Sequence, residues 1–388
     1  MKISKIAKIA AVAIAFGLVA TTPVYAAGQS IQGSGASFPT PLIEACKAPF
    51  AAQSTAGDSY SYASSSSGTG QSNSDKSIGD FWMSDSPYTA TTRRATLIHV
   101  PLVAAPIAVL YNFPTSSKHL QLSANTVAGI FAGTITMWND PAIAADNNKT
   151  TSVTVYKKDR VGNPVKDANG KLVVLRTTSV SNHFTLPNQK IIVVYRSDSS
   201  GTTSNFTNYL YKSSPSIWTK ANNKVFTSTF PGDINSAANL GRIVGAASST
   251  GVSQLASKTP YSITYAEVNY AATYNLKIAN LINPAGNTVS PDNTGVGAFL
   301  ASATQDAAQG FLTYDFATKE PGAYPLGVVS YMLAETAYTD KAKAAAVKAI
   351  ATFILSDACA NTVGAKLGFS TMTGDLLKKA QAQVAKIG

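Results

Sequence analysis

Two kinds of apolar pattern alternate along this chain. Short runs rich in β-branched or aromatic residues, such as "KIIVVY" (190–195), "SYSYA" (59–63) and the segments within "ATLIHVPLVAAPIAVLYN" (95–112), predict strands. Between them lie stretches with apolar residues at helical spacing. "TPLIEACKAPFAAQ" (40–53) predicts a helix, with Thr40 as a cap and Pro41 in its first turn. "SANTVAGIFAGTI" (123–135) predicts a helix and a turn, and "TSNFTNYLYK" (203–212) places Phe206, Tyr209 and Leu210 on one helical face. Residues 340–368 read as a long helical region broken near Asp357, and 373–387 as a final helix. Strands alternating with helices imply an α/β architecture.

Two stretches depart from this alternation. "SSSSGTGQSNS" (64–74) has no apolar periodicity and predicts a polar loop. The segment around 151–178 carries two β-rich arms about a Gly-, Asn- and Pro-containing centre and is rich in Lys and Arg. It predicts an exposed hairpin turning at Asn169-Gly170.

The first 26 residues have three lysines, a short apolar core, and Val24 and Ala26 before an expected cut, which is the pattern of a cleaved secretory signal peptide. No later stretch is long and apolar enough to span a bilayer, so no stable membrane insertion is expected. The formal charge of the 388-residue chain is +11; Lys2, Lys5 and Lys8 lie in the leader, leaving +8. A basic surface favours anionic partners. No dense Lys/Arg run is interleaved with aromatics, so nucleic acid is not the expected partner. Cys46 and Cys359 are the two cysteines; in an oxidising compartment they read equally as a disulfide or as two buried thiols. The three widely spaced histidines form no ligand motif with them, and no metal or other cofactor is expected.

The candidate chemistry lies in four short stretches. "GSGASFP" (33–39), "SSSSGTG" (64–70) and "RSDSSGTT" (196–203) each set Ser or Thr hydroxyls beside glycine, the first and third just ahead of a predicted helix. Helix starts offer free N–H groups and a positive dipole end, and so bind anions without metal. Arg196 adds a fixed charge and a fork that fits two oxygens of one anion. The fourth stretch, "DFWMSDSPYT" (80–89), brings a carboxylate, Asp85. A carboxylate facing an anion is repelled unless the anion carries a proton. Protonated phosphate donates to it; fully ionised sulfate does not, and a buried polar mismatch of that kind discriminates by roughly 10⁴- to 10⁵-fold.

In this order and spacing, "GSGASFPTPLI", "SSSSGTG", "DFWMSDSPY" and "RSDSSGTTSNFTNYL" resemble the periplasmic phosphate-binding proteins of the phosphate-specific ABC importer. The likeness continues through "TPYSITYAEVNYA", "YPLGVVSYML" and "GAKLGFSTM" and covers nearly the whole mature chain. The resemblance implies a type II periplasmic-binding-protein fold, two α/β lobes with a ligand cleft and crossover hinge strands. Lobe I would comprise 27–110 and 327–388 and lobe II 111–326, with the basic hairpin inserted in lobe II. By position, Ser37, Phe38, Ser66, Asp85, Arg196, Ser200, Gly201 and Thr202 would hold inorganic phosphate, and Asp198 would hold Arg196; Ser65 and Ser67 are alternatives to Ser66. The resemblance further implies a monomeric, non-enzymatic protein of the periplasm, or released from the cell, that delivers phosphate to importer permease subunits. Departures from the family pattern are "MSDSPY", the single "GTG", the long hairpin, and the absence of a clear "GNDGV" near "GAASSTGVS". Two other readings stand beside this one: a secreted phosphatase on the same fold, and a surface protein that binds polyanions or cells through the hairpin.

Overall fold

The computed structural model describes residues 28–91, 93–114, 119–160, 163–181 and 183–388. The expected signal peptide lies outside the described residues.

A curled mixed sheet runs in the order Ser59–Ser65, Ser30–Ala36, Phe81–Ser84, Gly327–Glu335, Leu97–Tyr111, Ser262–Glu267, Ile192–Arg196, Ile243–Ala246. The first three strands are parallel to one another, as are the last three, and antiparallel pairs join the two groups. The long strand Leu97–Tyr111 is buried along its whole length. Its residues 97–106 pair with Gly327–Glu335 and its residues 107–111 with Ser262–Glu267, so one strand belongs to both halves of the sheet. The near-continuous apolar sequence of this strand follows from burial on both faces.

The helices Thr40–Ala45 and Lys47–Gln53 divide the expected single helix at Cys46. Thr40 does not cap: Pro39 holds the cap position, and the Thr40 hydroxyl donates to Ser64 Oγ at 2.7 Å. The polar stretch 64–74 is not a loop. Its first residues complete a strand, and Ser67–Asp75 is a helix whose cap, Ser66, accepts from the Thr69 N–H at 3.2 Å. Capping and close packing override the weak helix propensity of serine and glycine here. Gly70 fits under the strand Phe81–Ser84, where a Cβ would come within 2.5 Å of the Met83 carbonyl oxygen. Toward the C-terminus, Lys341–Ile354 is capped by Asp340 and is followed after a break by the π-helical turn Asp357–Gly364, then by the helix Gly374–Ala385.

The basic hairpin is formed by Thr150–Tyr156 and Val174–Ser181, paired antiparallel, with Gly170 at φ +78° in its turn. Val174, Leu175 and Val180 are exposed on it. Cys46 and Cys359 are joined by a disulfide with Cα atoms 5.7 Å apart. It ties the junction of the two N-terminal helices to the π-helical turn; cross-links of this kind contribute about 2–4 kcal/mol. Among the described residues no single helix is long and apolar enough to cross a membrane.

Candidate functional site

Strand ends and helix starts from distant parts of the chain converge between the two groups of parallel strands. Ser37 and Phe38 follow the strand Ser30–Ala36. Ser37 is buried, its Oγ 3.5 Å from Ser249 Oγ, and the Phe38 ring packs edge-on against Phe369. The four consecutive serines have four different roles. Ser64 accepts from Thr40; Ser65 donates to the Gly35 carbonyl at 3.2 Å; Ser66 caps the helix; Ser67 donates to Asp85 Oδ2 at 3.3 Å.

Asp85 follows the strand Phe81–Ser84 and is 2% exposed. Oδ1 accepts from Ser330 Oγ at 2.7 Å, and its own N–H donates to Ser67 Oγ at 3.0 Å. Burial pushes the carboxyl up to about 7; the Ser330 hydrogen bond opposes this, the Glu267 carboxylate adds to it, and Arg196 and Ser67 oppose it further.

Arg196 ends the strand Ile192–Arg196 and is also 2% exposed. Nε donates to Asp198 Oδ1 at 2.7 Å and Nη2 to Oδ2 at 2.6 Å, while Nη1 donates to Ser249 Oγ at 3.0 Å. Asp198 accepts as well from the Ser248 N–H at 3.0 Å. Burial works to raise the Asp198 carboxyl, but the guanidinium holds it below its ordinary value. Ser200 caps the helix Gly201–Ser213, accepting from the Thr203 N–H at 3.1 Å. The buried Thr202 hydroxyl has no hydrogen-bond partner among the described residues.

Two helix N-termini meet here. The Gly68 N–H donates to the Ser199 carbonyl at 2.9 Å, and a Cβ on Gly201 would lie 2.3 Å from Ser67 Oγ and 2.8 Å from Asp85 Cβ. Both glycines are required by this approach. The structure therefore brings Ser37, Phe38, Ser66, Asp85, Arg196, Ser200, Gly201 and Thr202 into one region, with Asp198 behind Arg196.

Sequence reasoning missed three contributors, Ser249, Glu267 and Ser330; Ser67, carried only as an alternative to Ser66, is the direct partner of Asp85. Ser249 lies in "GAASSTGVS", where Ser-Ser-Thr-Gly opens the helix Ser248–Lys258 much as Ser-Ser-Gly-Thr opens the one after Arg196; that repeated chemistry was an available signal. Glu267, at the end of the strand Ser262–Glu267, and Ser330, inside the strand Gly327–Glu335, have no local signature. Among the described residues no group of three or more His, Cys, Asp and Glu side chains is placed to hold a metal ion.

The Asp85 environment sets a stability dependence. A carboxyl raised in the folded state adds no penalty below its unfolded value near 3.8, and its full penalty is present above its folded value. The protein without ligand therefore loses stability as pH rises between about 4 and 7, by at most about 4 kcal/mol from Asp85. Glu267, also raised by burial, acts in the same direction. Thermal melts from pH 5 to 8 should show a falling Tm that flattens in Asp85→Asn; a Tm equally pH-dependent in that variant would remove Asp85 as the cause.

A sheet with one long strand common to both halves, and helix starts from both halves converging on the buried Arg196 and Asp85, is the architecture of the two-lobed periplasmic-binding-protein class. The family model of the periplasmic-binding-protein superfamily domain matches residues 20–358. The phosphate-binding protein PstS 3 of Mycobacterium tuberculosis is 33% identical over 309 residues, 76% of this chain and 71% of that protein. The phosphate-binding protein PstS of Pasteurella multocida is 31% identical over 320 residues, 81% of this chain and 79% of that one. Two solved structures share the fold. A high-affinity periplasmic phosphate-binding protein bound with phosphate at pH 8.5 matches with TM-score 0.63, 21% identity, 91% of this chain and 93% of that chain. A putative phosphate ABC transporter substrate-binding protein with bound phosphate from Clostridium perfringens matches with TM-score 0.56, 14% identity, 89% of this chain and 100% of that chain. The chain belongs to the PstS-type phosphate-binding proteins of the periplasmic-binding-protein superfamily.

Proposed function

We propose that this protein binds inorganic phosphate with high affinity and delivers it to the permease of an ABC importer, acting as a monomer in the periplasm. The observation that carries the reading is Asp85: a buried carboxyl held by Ser330 and Ser67, in the same cleft as the Arg196 guanidinium. An anion site with a facing carboxylate suits an anion that brings a proton. Arg196, locked by Asp198, supplies the fixed charge; Ser37, Phe38, Ser66, Ser200, Gly201 and Thr202 supply hydroxyl and backbone donors. Charge-assisted hydrogen bonds contribute roughly 1.5–3 kcal/mol each. Eight or so of them support about sub-micromolar affinity after the costs of desolvation and closure.

The lobes of this reading are 27–110 with 327–388, and 111–326. Two facts support the division: residues 97–111 pair with both halves, and the return strand begins at Gly327. Residues 106–112 and 326–333 are then the hinge strands, and closure brings the helix start at Gly201 onto Ser67 and Asp85. For a phosphatase, the buried histidine offers no base: His99 Nε2 accepts from the Tyr88 N–H at 2.8 Å and Nδ1 lies 2.9 Å from the Gln309 carbonyl.

Titration of stripped protein with phosphate, read by calorimetry and tryptophan fluorescence in excess sulfate, tests the proposal. One-to-one binding undisturbed by sulfate is the expected result; no heat and no fluorescence change would sink it. Asp85→Asn should weaken phosphate binding by about tenfold or more and admit sulfate, because the amide donates where the carboxylate only accepts. Unchanged affinity and unchanged sulfate exclusion would refute the role given to Asp85.

A further inference from the structure

The cleft contains a carboxyl that the phosphate reading does not use. Glu267 is 1% exposed. Its Oε1 accepts from Ser249 Oγ at 3.0 Å, and its Oε2 has no hydrogen-bond partner among the described residues. Ser249 Oγ also accepts from Arg196 Nη1 at 3.0 Å and lies 3.5 Å from Ser37 Oγ. The serine thus stands between the guanidinium, the buried carboxyl and one of the hydroxyls assigned to the anion.

A hydroxyl has one proton to give. With Glu267 ionised, the Ser249 proton is committed to Oε1. With Glu267 protonated, a half-turn of the carboxyl lets its O–H donate to Ser249 Oγ. Ser249 then turns its own proton toward Ser37 Oγ, which frees the Ser37 proton for the anion. Charge acts in both directions: the Arg196 guanidinium and the backbone hydrogen bond favour the ionised carboxyl, whereas the neighbouring carboxyls favour the protonated one. Arg196 and Asp85 interact with Glu267 across the cleft, Asp198 lies on the far side of Arg196, and Tyr270 faces Glu267 from the helix Asn269–Thr273. With all three carboxyls ionised, one guanidinium leaves the cleft at −2 before any anion enters. A buried, unpartnered carboxylate oxygen is also costly, and burial raises the Glu267 carboxyl above its ordinary value.

We propose that Glu267 is a second proton-holding carboxyl of the anion site, and that phosphate binds with Glu267 protonated. Glu267 is a positioning residue acting through Ser249 on Ser37 and Arg196. The inference rests on the phosphate reading above and adds a proton to it that is separate from the one shared with Asp85.

Calorimetric titration with inorganic phosphate from pH 6 to 9, in buffers of different ionisation heat, gives affinity and proton uptake together. Wild-type protein should lose affinity and take up more proton as pH rises. Glu267→Gln keeps the shape and supplies an amide donor to Ser249. It should bind as tightly as wild type or tighter at the alkaline end, with a pH slope shallower by up to about tenfold per pH unit. A structural role alone would not move that slope. Phosphate binding with unchanged slope and proton uptake in Glu267→Gln overturns this inference and leaves the phosphate reading intact, whereas failure of wild-type protein to bind phosphate overturns both. If Glu267→Gln does not fold, infrared difference spectra of Asp85→Asn saturated with phosphate decide the matter. A protonated-carboxyl band supports the inference, and its absence refutes it.

Discussion

Arg196→Gln weakens phosphate binding by about 10²- to 10⁴-fold, the loss expected when two charge-assisted hydrogen bonds disappear. The effect is large because Arg196 carries a fixed, buried positive charge in the site. Arg196 is the cation paired to Asp198 and bonded to Ser249, and Asp85 and Glu267 stand in the same buried region. Removing it leaves those carboxyls uncompensated, so the fold is destabilised too, by about 3–5 kcal/mol for a broken buried pair. Arg196→Lys separates charge from geometry. It keeps the cation but loses the fork that spans both Asp198 oxygens, and an intermediate affinity is expected. Calorimetry gives the affinities and thermal melts the stabilities. Arg196→Gln protein that is folded and binds phosphate within threefold of wild type would show that the anion sits elsewhere.

The second large effect is steric. Gly201→Ala places a Cβ 2.3 Å from Ser67 Oγ, 2.8 Å from Asp85 Cβ and 3.0 Å from the Asp85 carbonyl carbon. Two of those three atoms cannot swing aside. Overpacking of this kind costs about 1–3 kcal/mol. The cost falls on the closed arrangement, in which the two helix starts touch, and not on an open one. Affinity should drop by about 10- to 100-fold. Small-angle scattering should show less compaction on adding phosphate. Gly297→Ala is the control: it lies in the helix Asn293–Leu300 with nothing within 4 Å of its Cβ, and should leave binding unchanged. Equal affinities for the Gly201 and Gly297 variants would refute the steric argument.

Much of this site can be read along the chain, because its chemistry comes in contiguous pieces. Arg196, Asp198 and Ser200 to Thr202 lie within seven residues, where a strand hands over to a helix, and both the ion pair and the cap follow from local geometry. Asp85 was singled out because a carboxylate among anion donors calls for a proton, and the structure buries it between Ser330 and Ser67. Ser330 and Glu267 were not, because neither belongs to a local motif and only the sheet brings it beside Asp85 and Ser249. Ser330 reaches Asp85 across 245 positions of chain. In the fold, the hydrophobic pattern announced the alternation of strands and helices. It failed at 64–74, where a cap and tight glycine packing make a helix without an apolar face, and at Thr40, which yields its capping place to Pro39. That residues 97–111 form one strand common to both halves follows from pairing and not from composition.

The bond between Cys46 and Cys359 also bears on the timing of biogenesis. The two positions are 313 residues apart, so at 5–20 residues per second the second thiol leaves the ribosome roughly 15–60 s after the first. Throughout that interval Cys46 has no native partner. The half of the sheet begun by the strand Ser30–Ala36 is likewise incomplete until its last strand, Gly327–Glu335, is made. That half of the fold, and the covalent tie that closes it, are thus among the last things the growing chain can complete, and the tie itself forms only in an oxidising compartment.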